Sequence, residues 1–113
     1  ARGEDFVMPY EGQEHYHFVS DVGTAFAMSA VKDFSGYDVF NLRGATLHSR
    51  DFLKRVTRIA AGSGRLSTAD DAAVMPFVCD LDDTRICNAF PEMPLTNLDD
   101  GIRQSLETFR AQS

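Results

Sequence analysis

Hydrophobic side chains recur at helical spacing in three parts of the chain, and each part predicts an amphipathic helix. The first covers residues 20–32, where the spaced apolar positions are Val22, Phe26 and Ala30. The second begins at Ser49, a candidate N-cap, and is closed by Gly62. Its apolar stripe consists of Phe52, Leu53, Val56, Ile59 and Ala60.

The third predicted helix lies in the stretch PLTNLDDGIRQSLETFRAQ near the end of the chain. Thr96 stands three residues before Asp99, which resembles a capping box. Asp99 and Asp100 also suit the positive end of a helix dipole. One face of this helix carries Leu98, Ile102, Leu106 and Phe109.

Short β-rich runs predict the strands. Residues 5–10 and 15–19 flank a turn and suggest a hairpin. Residues 37–42 (YDVFNL) are typical of a buried strand, and residues 64–70 predict another short one. A short helix is expected near 81–88. The predicted order is strand pair, helix, strand, helix, strand, loop, helix, which indicates an α/β fold with about three main helices.

The composition is that of a folded domain: 113 residues, 43% hydrophobic and 25% charged. The net charge of -6 argues against a nucleic-acid surface, which needs clustered lysine and arginine. No apolar run reaches the roughly 20 residues that span a bilayer, and no charged-then-apolar leader opens the chain. Cys79 and Cys87 form no CxxC pair, so two free thiols are expected. These features predict a cytoplasmic protein with neither a membrane nor a nucleic acid as partner.

The stretch EHYHFVSDV offers the only candidate metal chemistry. On a strand, His15 and His17 point to the same side and could reach one ion. A site needs further ligands, and none of the available groups has a spacing that forces it into place: Glu14, Asp21, His48 and Cys79. We therefore expect no metal, and a polar strand edge or cleft surface instead.

Sequence motifs of catalysis are missing from these 113 residues. GSG (62–64) lacks the later glycine of a dinucleotide loop and precedes a predicted strand instead of following one. No Walker A sequence and no GxSxG elbow occur. The residues alone therefore predict no catalytic constellation in this chain.

Four stretches cover nearly the whole chain and occur in a telling order: RGEDFVMPYEGQEHYHFVSDVGTAF, YDVFNLRG, TLHSRDFLKRVTRIA and PLTNLDDGIRQSLETFRAQ. Together they resemble the C-terminal half of an extended short-chain dehydrogenase/reductase, the NAD-dependent epimerase/dehydratase family. Asp21 matches the aspartate that opens a helix in this family, and Arg43 stands where the family usually has a glycine.

The resemblance implies that residues 1–113 are the substrate-binding lobe of a Rossmann-type dehydrogenase. The glycine-rich loop and the Tyr-x-x-x-Lys pair of such enzymes belong to an N-terminal lobe, and no Tyr-x-x-x-Lys occurs here. We therefore expect a fragment that is inactive alone and has no catalytic residue of its own. NAD or NADP would be held by the missing lobe, and a second copy of the chain is a further expected partner.

The resemblance also bears on the substrate. Family members that act on nucleotide sugars often carry an arginine two residues before the strand tyrosine, where this chain has Glu14. A sugar, sugar acid or other hydroxy compound is therefore expected in place of a nucleotide sugar. Its ligand-facing residues are predicted to be Tyr10, Tyr16, His17 and Arg43.

The alternative is a standalone binding or interaction domain, metal-dependent through His15 and His17. The two interpretations predict different surfaces. A standalone domain covers its own hydrophobic faces, whereas a severed lobe exposes the apolar surface that its partner lobe would cover.

Overall fold

The computed structural model describes residues 2–62, 64–76 and 80–112, and shows a small mixed α/β fold. Four helices and four short strands follow one another in the described chain. None of these helices is long and apolar enough to cross a membrane. In chain order the elements are β1 (Phe6–Glu11), β2 (Gln13–Tyr16), α1 (Val19–Val31), β3 (Ala45–His48), α2 (Ser49–Ile59), β4 (Leu66–Val74), α3 (Thr84–Ala89) and α4 (Leu98–Ala111).

The strands form two separate two-stranded sheets, so the predicted hairpin is wrong. β1 pairs with β4 in parallel, and β2 pairs with β3 antiparallel. Only Gly12 separates β1 from β2, whereas a hairpin loop needs at least two residues. Gly12 instead exchanges hydrogen bonds with Ser49, through its N–H to the Ser49 Oγ (3.2 Å) and its carbonyl from the Ser49 N–H (2.8 Å).

The strand predicted at residues 37–42 is also wrong, because this segment is irregular and β3 follows it. Side chains of the segment form hydrogen bonds in place of a strand ladder. The Asp38 carboxylate accepts the N–H of Val39 at 2.8 Å. The Asn41 side-chain amide reaches the carbonyl of Asp82 at 3.0 Å. No described strand pairs with residues 37–42 through a backbone ladder.

The predicted caps of α2 and α4 are each displaced by one residue. His48 caps α2 through Nδ1, and Asn97 caps α4 through its side-chain oxygen. Ser49 and Thr96 were the predicted caps, but the side chain of each is hydrogen-bonded to a residue far away in the sequence. The Ser49 hydroxyl accepts from the Gly12 N–H, and the Thr96 hydroxyl donates to the Asp21 carboxylate. Neither hydroxyl therefore caps the free N–H groups at the start of its helix.

The buried apolar side chains fall into a small cluster and a few scattered positions. The cluster packs α1 against α3 and the chain that follows it, through Ala25, Ile86, Phe90 and Met93. Phe26 and Ala30, predicted to face the core, are exposed, because α1 packs through the side that carries Ala25. Cys87 packs against this cluster and forms no disulfide within the described residues, whereas Cys79 lies outside them.

The fold exposes much more surface than its mass requires. Its accessible surface is 7852 Å², whereas a compact monomer of 12.5 kDa exposes about 6,200 Å². The radius of gyration is 16.5 Å, against about 13 Å for a compact chain of this length. The described chain is therefore flat and leaves apolar side chains uncovered.

Ser49→Ala is expected to lower the free energy of unfolding by about 1–3 kcal/mol, because it leaves the buried N–H of Gly12 without its acceptor. Urea denaturation measures the change. The control is Ser29→Ala, because the Ser29 hydroxyl bonds only to a carbonyl of its own helix. Equal losses in both variants would contradict the assigned role of Ser49.

Candidate functional site

A groove of about 260 Å³ lies between α2, α4 and the segment that joins β2 to α1. The whole apolar stripe of α4 faces it from one side, and Phe52 and Val56 of the α2 stripe face it from the other. Its apolar lining includes Phe18, Phe52, Val56, Ile102, Leu106 and Phe109. Phe109 is 57% exposed, which shows that the groove is open along α4.

Ion pairs hold α4 against α2 at one side of the groove. The Asp99 carboxylate accepts from Arg55 at 2.9 Å and from Arg58 at 2.7 Å. The hydrogen bond from Arg55 lowers the pKa of Asp99 below its usual range, and the charge of Arg58 adds to this. Asp99 therefore links the two helices, which is more than the helix-dipole role predicted for it.

A second polar contact fixes the start of α4 to the start of α1. The Asp21 carboxylate accepts the Thr96 N–H and the Thr96 hydroxyl, each at 2.7 Å. Asp21 was predicted to cap α1, but the N-cap is Phe18, which makes no side-chain hydrogen bond. The expected Thr96–Asp99 capping box is likewise wrong, because Thr96 is engaged by Asp21.

The two histidines lie with their ring centroids 4.8 Å apart, edge to face. His15 uses both ring nitrogens, Nδ1 with the Thr46 hydroxyl (2.7 Å) and Nε2 with the Leu42 carbonyl (3.2 Å). His17 places Nδ1 at 2.9 Å from the Arg43 carbonyl. Because a carbonyl can only accept, His15 Nε2 and His17 Nδ1 carry the protons.

This arrangement does not favour the two-histidine metal site. A metal needs a free lone pair, and hydrogen bonds engage both nitrogens of His15. Across the described residues, no group of three or more histidine, cysteine, aspartate or glutamate side chains is placed to hold an ion. The imidazoles instead join β2 to the segment that leads into β3.

Gly44 permits this close approach between β2 and the chain before β3. A Cβ at this position would lie 2.8 Å from His15 Nε2 and still closer to the carbonyl oxygen of Tyr16. Any other residue would push the segment away from β2. The glycine thus sets the position of the carbonyl that orients His17.

Tyr16 forms one end of the groove. Its ring stacks on Phe52, with centroids 4.2 Å apart and planes 5° from parallel. Its hydroxyl is buried and has no hydrogen-bond partner among the described groups. Burial raises the pKa of Tyr16 above its usual range, and the neighbouring Glu14 carboxylate raises it further. The hydroxyl is therefore protonated at any physiological pH.

Of the four residues predicted to face a ligand, Tyr16 and His17 line the groove and the other two lie outside its lining. Tyr10 is half-buried on β1, opposite Ala73 of β4. Arg43 donates to the Asp83 carboxylate at 3.2 Å and to the Met93 carbonyl at 3.0 Å. Whether any of the four contacts a ligand stays a prediction.

Sequence reasoning missed Phe18 and Phe52 as groove residues. The apolar stripe predicted for α2 includes Phe52, but a stripe alone does not distinguish a core contact from a groove wall. Phe18 follows His17 directly and meets Gly101, where an added Cβ would lie 3.2 Å from its ring. A glycine in the apolar face of α4 was the available signal for this close approach.

No protein-family model, no curated protein and no solved structure matches this chain. Any function proposed for the chain therefore rests on its own sequence and on the geometry of its structure.

Tyr16→Phe is expected to change how stability depends on alkaline pH. Because the folded state raises the pKa of Tyr16, the unfolded chain loses this proton first, and stability falls as pH rises above about 10. In the variant, the free energy of unfolding should fall less steeply as the pH rises through this range. At neutral pH it should raise the free energy of unfolding by about 1 kcal/mol, because it removes an unpaired buried hydroxyl.

Urea denaturation at neutral and alkaline pH tests this expectation. The matched control is Tyr37→Phe, because Tyr37 is 88% exposed and should change neither value. A Tyr16→Phe variant that is less stable at neutral pH would show that the hydroxyl makes a stabilising contact.

Proposed function

We propose that this chain is the substrate-binding lobe of an NAD(P)-dependent oxidoreductase or epimerase. Its partner is a separate lobe that holds the cofactor. The proposal is supported by the ordered resemblance of four sequence stretches to the epimerase/dehydratase family. The observation that carries it furthest is the incomplete parallel sheet of β1 and β4.

Parallel sheets are normally covered by helices on both faces and contain more than two strands. Here β1 pairs only with β4 among the described strands, which leaves an open edge on each. α2 contacts β4 from one face, while Phe6 and Val7 of β1 are 51% and 57% exposed. Such a sheet is expected to continue into further strands of a larger protein.

Residues 37–42 support the same conclusion. Their sequence is typical of a buried strand, yet Tyr37 and Val39 are 88% and 58% exposed. A strand-like segment becomes a strand only when a neighbour offers hydrogen bonds. The cofactor lobe would cover these two exposed side chains.

In this proposal the cofactor accepts or donates the hydride and the missing lobe supplies the Tyr-x-x-x-Lys acid and base. The described chain binds and orients the substrate, for which Tyr16 and His17 are the groove residues available. The substrate would be a hydroxy compound. Glu14 would repel the diphosphate of a nucleotide sugar.

The mass of the native protein in its source cells tests the proposal directly. An antibody against this chain should detect a band more than twice its 12.5 kDa. That larger protein should oxidise hydroxy compounds with NAD or NADP, and the 113-residue chain alone should not. A native band at 12.5 kDa, or cofactor-dependent turnover by the isolated chain, would refute the proposal.

The second candidate is a standalone binding domain, and the groove is the observation that favours it. A preformed apolar groove can bind a ligand without a cofactor lobe. Dependence on a metal is not favoured, because hydrogen bonds engage both nitrogens of His15. A native mass equal to that of this chain would select this candidate.

The outer face of α1 provides a further test of incompleteness. This face consists of Val19, Gly23, Phe26, Ala27 and Ala30, all exposed. A helix that is apolar on both sides is normally buried. The isolated chain should therefore self-associate, and Phe26→Lys should weaken that association at least about tenfold, because it would bury an unpaired charge.

Analytical ultracentrifugation over a concentration series measures this association. Thr24→Lys is the control, because it adds the same charge to α1 two residues away, on another side of the helix. A wild-type chain that stays monomeric at high concentration would show that this face needs no cover. That result would favour the standalone domain.

A further inference from the structure

The geometry points to the class of ligand that the groove takes: we propose that it binds a neutral hydroxy compound with an apolar body of about the size of a substituted benzene ring. The hydroxyl group of this ligand donates to Nε2 of His17. The shape, charge and hydrogen-bonding capacity of the groove each support one part of this assignment.

The groove offers no attraction to an anion. Its lining contains neither lysine nor arginine, and its one charged residue is Asp21. The two carboxylate oxygens of Asp21 each accept a hydrogen bond from Thr96. A carboxylate or phosphate group would thus lose its hydration without gaining a cation, which is costly. The ligand is therefore neutral where it lies in the groove.

The walls and volume define the body of the ligand. Phe18, Phe52 and Ile102 are among the apolar side chains that surround a space of about 260 Å³. An apolar cavity of about 150 Å³ is large enough to hold benzene. The groove therefore accommodates an aromatic ring with a short substituent, or an aliphatic body of similar size.

His17 supplies a directed hydrogen-bond acceptor beside these walls. Its Nδ1 proton is donated to the Arg43 carbonyl, so the neutral ring carries a lone pair on Nε2. No described group is hydrogen-bonded to that nitrogen. Because the ring is fixed through Nδ1, Nε2 is held in place to accept from a ligand hydroxyl.

Binding of this ligand stands on the groove alone, whereas its role as a substrate rests on the proposed function. The two can fail separately. If the native protein has a mass of 12.5 kDa and binds the ligand, the binding site is confirmed and the oxidoreductase proposal is refuted. A larger native protein that oxidises hydroxy compounds, with an isolated chain that binds none of the probes below, would give the opposite result.

Amide NMR titration of the ¹⁵N-labelled chain with three matched probes tests the assignment. The probes are phenethyl alcohol, ethylbenzene and phenylacetate, which share a ring and differ in one group. Phenethyl alcohol should bind about threefold to tenfold more tightly than ethylbenzene, as one hydrogen bond allows. Phenylacetate should bind at least about tenfold more weakly than the alcohol. The shifted amides should include those of Gly44 and Gly101.

Three variants locate the site. His17→Phe should remove the preference for phenethyl alcohol over ethylbenzene. Ser105→Leu should fill the groove and abolish binding of both, while Thr108→Leu should not. The last two are a matched pair, because each hydroxyl bonds to a carbonyl of α4 and only Ser105 lines the groove.

Four results would overturn the proposal. The first is phenylacetate binding as tightly as the alcohol, and the second is an unchanged preference for the alcohol in His17→Phe. The third is the absence of saturable shifts at the groove amides with any probe. The fourth is a set of chemical-shift changes at the groove amides that increase with protein concentration and not with probe concentration. A second copy of the chain would then occupy the groove.

Discussion

Asp21 accepts two hydrogen bonds of 2.7 Å from Thr96, a residue 75 positions later in the chain. This contact fixes the start of α4, and the pairs from Asp99 to Arg55 and Arg58 fix the same end against α2. α4 is thus held largely by polar contacts, and only Gly101 and Ile102 of this helix are buried. A helix placed in this way need not close onto its neighbour. The groove between α2 and α4 follows from that incomplete closure.

The same scarcity of buried apolar surface extends over the whole fold. Burial of apolar area is the main favourable term in folding, and a chain of this size normally buries enough to cover its helices. Here one small cluster joins α1 to α3, while the outer face of α1 and both edges of the parallel sheet are open. These open surfaces lie on several elements, so one local rearrangement would not cover them. The further strands and helices of the proposed larger protein would cover them.

Helical periodicity predicted the location of every long helix, because it depends on residues three and four apart. Strand pairing could not be predicted in this way: the parallel partner of β1 is β4, some sixty residues later, and no local pattern encodes that choice. The caps failed for a related reason, since Ser49 and Thr96 bind distant groups. α1 was given the wrong buried face because its apolar residues surround the helix. Within the site, Tyr16 and His17 were predicted to face a ligand, but the aromatic walls required the long-range packing of α2 and α4.

The chemistry of the groove narrows what the sequence resemblance implies. Family resemblance suggests a polar substrate such as a sugar, yet a sugar needs many directed hydrogen bonds to replace those it makes with water. The groove offers few: Asp21 is engaged by Thr96, and His17 has one free nitrogen. In the proposed enzyme, this chain would discriminate through the apolar body of the substrate and would orient one hydroxyl group. The polar groups that catalyse the reaction would then belong to the cofactor lobe. Substrate recognition and catalysis would be divided between the two parts of the proposed enzyme.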